Sequence, residues 1–283
     1  MTRPTVAVIG DNTIDRYVGP AGGDYVGGNA VNVAVQLAEH GFAVHYFGAV
    51  GPDQEGERIR DALSVRGVDI EGLVTYPGES ALTVIRVDDF GDRHMEEEHF
   101  GVTAEYFPSE AAMARIADAD WIQIGMLPRA DELRRRLRAM SPTLRMGQDC
   151  SVSSGYRELA VAFVSGDVIS APSVASRALA GGAQLAVVTH GADGSTAYRA
   201  EGGSVHQGIV PVAVVDTTGA GDSFIAGFVA ALLRSGALAA AMSEGASWAA
   251  QTCSHLGGFR QTGADPPRRG RSIASNTQQS STE

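Results

Sequence analysis

Apolar residues in this chain fall in short uninterrupted runs that alternate with stretches of helical spacing. The runs 5–9 and 43–50 have strand length and are bounded by Gly, Asp and Asn. Between them, 30–40 places Val31, Ala34, Val35 and Ala38 on one helical face and stops at Gly41. The stretch 54–66 repeats that pattern with Ile59, Ala62 and Leu63 and stops at Gly67. From residue 109 the alternation becomes regular. Helices are predicted over 109–117, 131–140, 156–162 and 173–180, and strands over 121–125, 144–149, 168–170 and 184–189. A buried strand over 209–215 is predicted to feed a helix over 224–233. This order predicts an α/β fold of right-handed βαβ units, a doubly wound and mostly parallel sheet covered by helices on both faces. Ligands of such sheets gather at the carboxyl ends of the strands.

Two segments break the rhythm. Residues 13–26 and 81–106 are polar and β-leaning, with a β-rich stretch at 81–87 and a polar turn at 88–92. They predict a small β lid over the site, made from two separate pieces of chain. The main domain is expected to span 1–260. The tail 261–283 holds Pro266-Pro267, a basic cluster and a Ser/Thr/Gln end, has little to bury and is expected to be disordered. No internal repeat is visible.

Composition narrows the classes. With 283 residues and 44% hydrophobic content the chain can build a large core. Its 22 basic and 33 acidic residues give a net charge of −11, which argues against a nucleic-acid or anionic-membrane surface. Nucleotide binding stays open, because backbone N–H groups and metal can hold phosphates. Cys150 and Cys253 form no metal-ligand pattern and no disulfide framework, so a reducing cytoplasm is expected. No signal peptide and no bilayer-spanning run is seen.

The candidate chemistry lies at strand–helix junctions. Asp216-Thr217-Thr218-Gly219-Ala220-Gly221-Asp222-Ser223-Phe224 opens the helix predicted near the C-terminus. Gly219, Ala220 and Gly221 bring no bulk, so an anion can approach the N–H groups at the positive end of the helix. A carboxylate beside that hole, Asp222, suits a base that takes a proton from a hydroxyl attacking a phosphoryl group. The plainer alternative makes Asp222 a helix-start residue facing the dipole. A second cluster, Asp11, Asn12 and Asp15, follows the first strand, and Gly27-Gly28-Asn29-Ala30-Val31-Asn32 opens the first helix. Carboxylates and amides suit sugar hydroxyls, and the glycines admit a close ligand, although Asn29 and Asn32 also serve as ordinary helix-start residues. A third, Thr189-His190-Gly191-Ala192-Asp193-Gly194, reads either as a nucleotide-contacting turn or as a hairpin into 195–199.

The early GGNAVN and the late DTTGAGDSF, in that order, resemble the two signatures of the ribokinase or PfkB-type carbohydrate kinases, and the resemblance covers nearly all of 5–259. It implies a ribokinase-like fold and use of ATP with Mg2+. Asp222 becomes the catalytic base, with Gly219, Ala220 and Gly221 as its anion hole. Asp11, Asp15, Gly28, Asn29 and Asn32 hold the sugar. Thr189, Gly191 and Gly194 contact the nucleotide, and 245–253 flanks the adenine. Asp216 and Thr217 place the loop and hold a monovalent cation such as K+. One departure stands out. Where the family has an N-x-x-E motif that organises magnesium, this chain has Ser173 and Ser176, which leaves magnesium to phosphates, waters and Asp149.

The segments Gly10-Asp11-Asn12, Asp15, Tyr17, 27–35, 100–107 and Ser170-Ala171-Pro172 resemble the fructoselysine 6-kinase branch of that family. Asn29 stands where many ribokinases have lysine, and a substrate with its own ammonium tolerates that loss. The expected activity is phosphorylation of the 6-hydroxyl of a fructosamine such as fructoselysine. A kinase for fructose or another ketose is the near alternative, and a catalytically weak sugar-binding or regulatory protein the distant one. The expected partner is a small sugar or glycated amino acid, without nucleic acid or membrane, on a monomer or a lid-mediated homodimer. His94 and His99 with Glu96, Glu97 and Glu98 read as a solvated lid strand, and Arg134-Arg135-Arg136 as an exposed helix face paired with Asp131 and Glu132. Trp248 and Cys253 read as core or pocket wall.

Overall fold

Alternate residues of the central strands divide between two apolar layers. In β1 (Thr5–Ile9), Val6 and Val8 enter one layer while Ala7 and Ile9 enter the other. The two-residue period of a strand, combined with apolar residues at every position, is what a sheet buried on both faces requires. The computed structural model describes residues 3–19, 22–87 and 93–263. The predicted turn at 88–92 and tail residues 264–283 lie outside them.

After β1 the chain forms β2 (Thr13–Val18), β3 (Gly23–Gly27), α1 (Asn29–Glu39), β4 (Ala43–Val50), α2 (Gln54–Ser64) and β5 (Asp69–Thr75). There follow β6 (Leu82–Val87), β7 (Arg93–His99), a 3-10 turn at Gly101–Glu105, α3 (Glu110–Ala117), β8 (Trp121–Ile124), α4 (Ala130–Met140) and β9 (Met146–Asp149). The last elements are β10 (Val161–Ser165), α5 (Ala171–Ala180), β11 (Leu185–Thr189), β12 (Ser195–Arg199), β13 (Ser204–Gln207), α6 (Ala220–Ser235) and α7 (Leu238–Thr252). Among the described residues the main sheet has nine strands in the order β13-β12-β11-β10-β9-β8-β1-β4-β5. All run in one direction except β12, which pairs antiparallel with both β11 and the edge strand β13. From β1 the chain passes to β4 on one side and later returns to β8 on the other, so the order reverses at the carboxyl ends of β1 and β8. That crevice is where a doubly wound sheet binds its ligand. Buried side chains of α1, α2, α6 and α7 pack on one face, and those of α3, α4 and α5 on the other.

The lid forms as expected from two separate pieces. Its four strands run β3-β2-β6-β7, with Tyr17, Tyr25 and Ile85 as a small core of their own. Gln261, placed in the tail by the sequence, instead pins β3: its side-chain amide donates to the Val26 carbonyl at 2.8 Å and accepts the Val26 N–H at 2.9 Å.

Three expectations are corrected. The helix over 156–162 and strand over 168–170 give way to β10, because Gly155 and Glu158 adopt positive φ and end any helical turn there. Val168 and Ile169 are exposed and lead into α5, which carries Pro172 in its first turn. The run 209–215 is neither buried nor a strand: Ile209, Val210, Val212, Val214 and Val215 are all exposed. Pro211 has no N–H to give a neighbouring strand, and β13 already closes that edge. Arg134 is not on an exposed face. Its guanidinium is buried, bonded to Gln148, Asp131 and the carbonyl of Arg157.

Candidate active site

Gly28 precedes α1 with φ of 107°, and a Cβ there would meet the Asn12 Cα at 2.7 Å. Only glycine lets the helix start so close to the loop that leaves β1. Asp11 uses that proximity. Its carboxylate accepts the Asn29 N–H at 2.7 Å and the Ala30 N–H at 3.2 Å, and so caps the first turn of α1 from another segment. It also accepts the Met126 N–H, just past β8, at 3.1 Å. One carboxylate thus ties both strands of the switch point to the first helix. Burial pushes the Asp11 carboxyl up to about 6, against the pull of these N–H bonds.

A second helix start faces the first. Gly219 precedes α6 in the left-handed region, at φ 72°, and a Cβ there would press on Gly258. Within the first turn, the Ala220 N–H closes on the Thr217 carbonyl and the Ser223 N–H on the Gly219 carbonyl. The N–H groups of Gly221 and Asp222 between them have no earlier helical carbonyl to reach. A Cβ at Gly221 would meet nothing within 4 Å, so the space above this turn is open. The Asp222 carboxylate is buried, and Asn29 and Asn32 donate their side-chain amides to its two oxygens at 3.1 and 2.8 Å. Burial pushes Asp222 up to about 7, with Asp149 and Asp11 adding to the rise and the two amides opposing it.

These residues line a cavity of about 280 Å³ under the lid. Asp11, Asp15, Gly28, Asn29, Asn32, Gly219 and Asp222 all contribute, so the early and late clusters meet in one place. Asp15 is 6% exposed, and burial together with Asp11, Asp216 and Asp222 pushes it up to about 7. A Cβ at Gly27, on the neighbouring strand β3, would run into its carboxylate. Sequence reasoning missed Thr83, Glu98, Thr103 and Met126, which also line the cavity. A wider, open cleft of about 920 Å³ lies at the amino ends of β8, β10 and β11. It is remote from these carboxylates and from the switch point.

Asp216 ties the turn before α6 to the lid. Its carboxylate accepts from the Tyr17 hydroxyl at 3.1 Å and from the N–H groups of Thr218 at 2.6 Å and Gly257 at 2.8 Å. Thr217 lies beside it, with its carbonyl turned to Ala220. Thr189 ends β11, Gly191 opens a tight turn, and Gly194 closes that turn into β12. The hairpin reading of this segment therefore holds, and the turn stands at the carboxyl edge of the sheet. Ser173 and Ser176 are turned back onto the α5 backbone, donating to the carbonyls of Ser170 and Pro172 at 2.8 Å each. Asp149 is buried at the end of β9, and burial raises its carboxyl. Asp167, two residues past β10, accepts from the Ser170 N–H at 2.8 Å. Among the described residues no group of three or more His, Cys, Asp or Glu side chains is arranged to hold a metal ion. Among the same residues no helix is long and apolar enough to cross a membrane.

A family model described as "pfkB family carbohydrate kinase" matches residues 12–134 and 158–261. The chain is 32% identical over 263 residues to a fructoselysine 6-kinase of Shigella flexneri, covering 90% of this chain and 99% of that one. It is 29% identical over 262 residues to a fructosamine kinase of Bacillus subtilis, covering 89% and 91%. Among solved structures, Arabidopsis thaliana ribokinase complexed with ribose and ATP superposes with a TM-score of 0.81 at 18% identity, covering 91% and 94% of the two chains.

Proposed function

Because the chain belongs to the pfkB family of carbohydrate kinases, we propose that it phosphorylates the 6-hydroxyl of a fructosamine, fructoselysine first, with ATP as donor. The observation that carries this reading is Asp222. It is a buried carboxylate on the first turn of α6, with both oxygens oriented by neutral amides, facing a lidded polar cavity. The similarity to a fructoselysine 6-kinase and a fructosamine kinase over nearly their whole lengths supports the substrate class.

The chemistry asked of these residues is proton removal and charge stabilisation. Asp222 takes the proton of the attacking hydroxyl as its oxygen forms the new O–P bond, and the nucleoside diphosphate leaves with the electrons of the broken bond. A carboxylate raised to about 7 is basic enough for that task near neutral pH. The N–H groups of Gly221 and Asp222 belong to the first turn of α6, beside open space at Gly221, where a helix start offsets charge that develops on the transferring group. Asp11 and Asp15 accept from the sugar hydroxyls. Gly28 lets α1 come close enough for Asn29 and Asn32 to border the same cavity. The turn at Thr189, Gly191 and Gly194 and the exposed apolar run 209–215 suit the nucleotide side.

The residues present fit magnesium only in part. Asp149 offers an oxygen donor near Asp222, whereas Ser173 and Ser176 offer none toward the site. When bound, the ion neutralises phosphate charge, and its remaining donors must be phosphate and water oxygens. Asp216 and Thr217 supply oxygens of the kind a monovalent cation takes.

The test is turnover of purified protein with ATP and magnesium against fructoselysine, fructose, ribose and adenosine at matched concentration. Fructoselysine is expected to give the highest kcat/KM. A plain sugar ahead by about tenfold, or ~1.4 kcal/mol of transition-state binding, would replace the fructosamine assignment and leave the family assignment standing. Binding of a sugar without turnover would favour a regulatory role.

A further inference from the structure

The lid carries a row of cavity-lining side chains across three strands. Asp15 of β2 pairs with Thr83 of β6, and Thr83 pairs with Glu98 of β7. Side chains paired laterally in a sheet share a face, and all three line the cavity. Farther along the same strands Ile85 pairs with Met95, and both line the cavity too. The lid therefore presents two carboxylates flanking a threonine, with an apolar pair beside them.

Charge is sorted by face. Arg16, next to Asp15 but on the other side of β2, pairs with Asp24 at 2.8 Å. Arg86, next to Ile85, pairs with Glu96. Among the described residues Asp11, Asp15, Glu98 and Asp222 line the cavity, no arginine does, and His99 is the lone imidazole. The chain contains no lysine at all, so it has no side-chain ammonium to offer. No described hydrogen bond satisfies the Asp15 carboxylate, which lines the cavity. Such a cavity is complementary to a ligand rich in donors and positive in charge.

We propose that Asp15 and Glu98, on either side of Thr83, form a subsite that reads the ammonium of an amine-substituted ketose, with the alkyl chain beyond it lying on Ile85 and Met95. The proposal rests on the reading of this cavity as the sugar site and adds the residues that select the substrate. It also predicts rejection of sugars that already bear a phosphate, because a phosphate monoester would meet carboxylates with no cation between them.

The test compares wild type and Glu98→Gln on fructoselysine and on fructose, with melting temperature as the folding control. The expected result is a fall of about tenfold in the preference for fructoselysine, carried by KM, and a preference in the wild type that shrinks at high salt. Calorimetric titration with 1-amino-1-deoxyfructose, free of any alkyl chain, should show the same loss of affinity. If wild type prefers fructoselysine but Glu98→Gln keeps that preference within about twofold, the ammonium is read elsewhere and the subsite assignment alone falls. If Glu98→Gln weakens both substrates equally, Glu98 supports the lid and the assignment also falls. If wild type prefers a plain sugar, the substrate reading itself fails and takes the subsite with it.

Discussion

Asn32 donates its side-chain amide to Asp222 across 2.8 Å, so the first turn of one helix holds a carboxylate on the first turn of another. Asn29, which begins the same turn, holds the other oxygen. Neither amide carries charge. The carboxylate is oriented without the loss of basicity that a neighbouring ammonium would impose.

Replacing Asn32 by Ala should therefore do two things. Turnover should drop by about tenfold or more as Asp222 loses its orientation. The acidic limb of kcat/KM, expected near 7 in the wild type because Asp222 works only when deprotonated, should move up by roughly one to two pH units, the worth of one bond to a charged acceptor. A pH–rate profile of both proteins checks this. An unmoved limb would mean that another group sets it.

Gly221→Val probes the open space above α6. The added side chain meets no protein atom at its Cβ, so the fold should hold and the melting temperature stay within a few degrees. Nucleotide affinity and kcat should both fall, while sugar affinity changes less. Unchanged nucleotide affinity and rate would put the phosphate elsewhere.

The buried carboxylates also give the ligand-free protein a pH signature. Burial raises Asp11 to about 6, and Asp15 and Asp222 to about 7. Unfolded, each titrates near ~3.9. Between about pH 4 and about pH 7 the folded chain thus holds more protons than the unfolded one, and stability falls as pH rises through that window. The ligand-free protein should melt lower at about pH 8 than at about pH 5. Asp15→Asn should raise stability at the higher pH by about 0.5–2 kcal/mol, with little effect at the lower one, while impairing sugar binding. Thermal melts at the two pH values decide it. Identical pH responses of wild type and variant would exclude Asp15 as a source of the effect.

The site was legible where small residues and carboxylates gather at strand–helix junctions. Asp222 after a glycine turn and Gly28 before Asn29 each open a helix in a way that leaves room for a ligand, and the structure brings both to one cavity. Asp11 and Asp15 stood out as carboxylates just past the first strand. Glu98 was not, because in a strand of consecutive acids only the register tells which one faces inward: Glu98 shares a row with Asp15, and Glu96 turns outward to Arg86. The run 209–215 misled because apolarity reports a need for cover without saying what supplies it. Tyr17 bonds to Asp216 across 199 positions, a separation no local pattern carries.

The central claim is that Asp222 removes the proton in an ATP-dependent sugar phosphorylation. Its most direct test is the single-turnover rate of phosphoryl transfer to fructoselysine by wild type and Asp222→Asn, with sugar and nucleotide affinities measured in parallel. The asparagine keeps the size of the side chain and removes only its basicity. The account predicts a rate lower by roughly 10²–10⁴-fold, the usual share of a general base, with both affinities largely retained. A variant that transfers the phosphoryl group at close to the wild-type rate would contradict it.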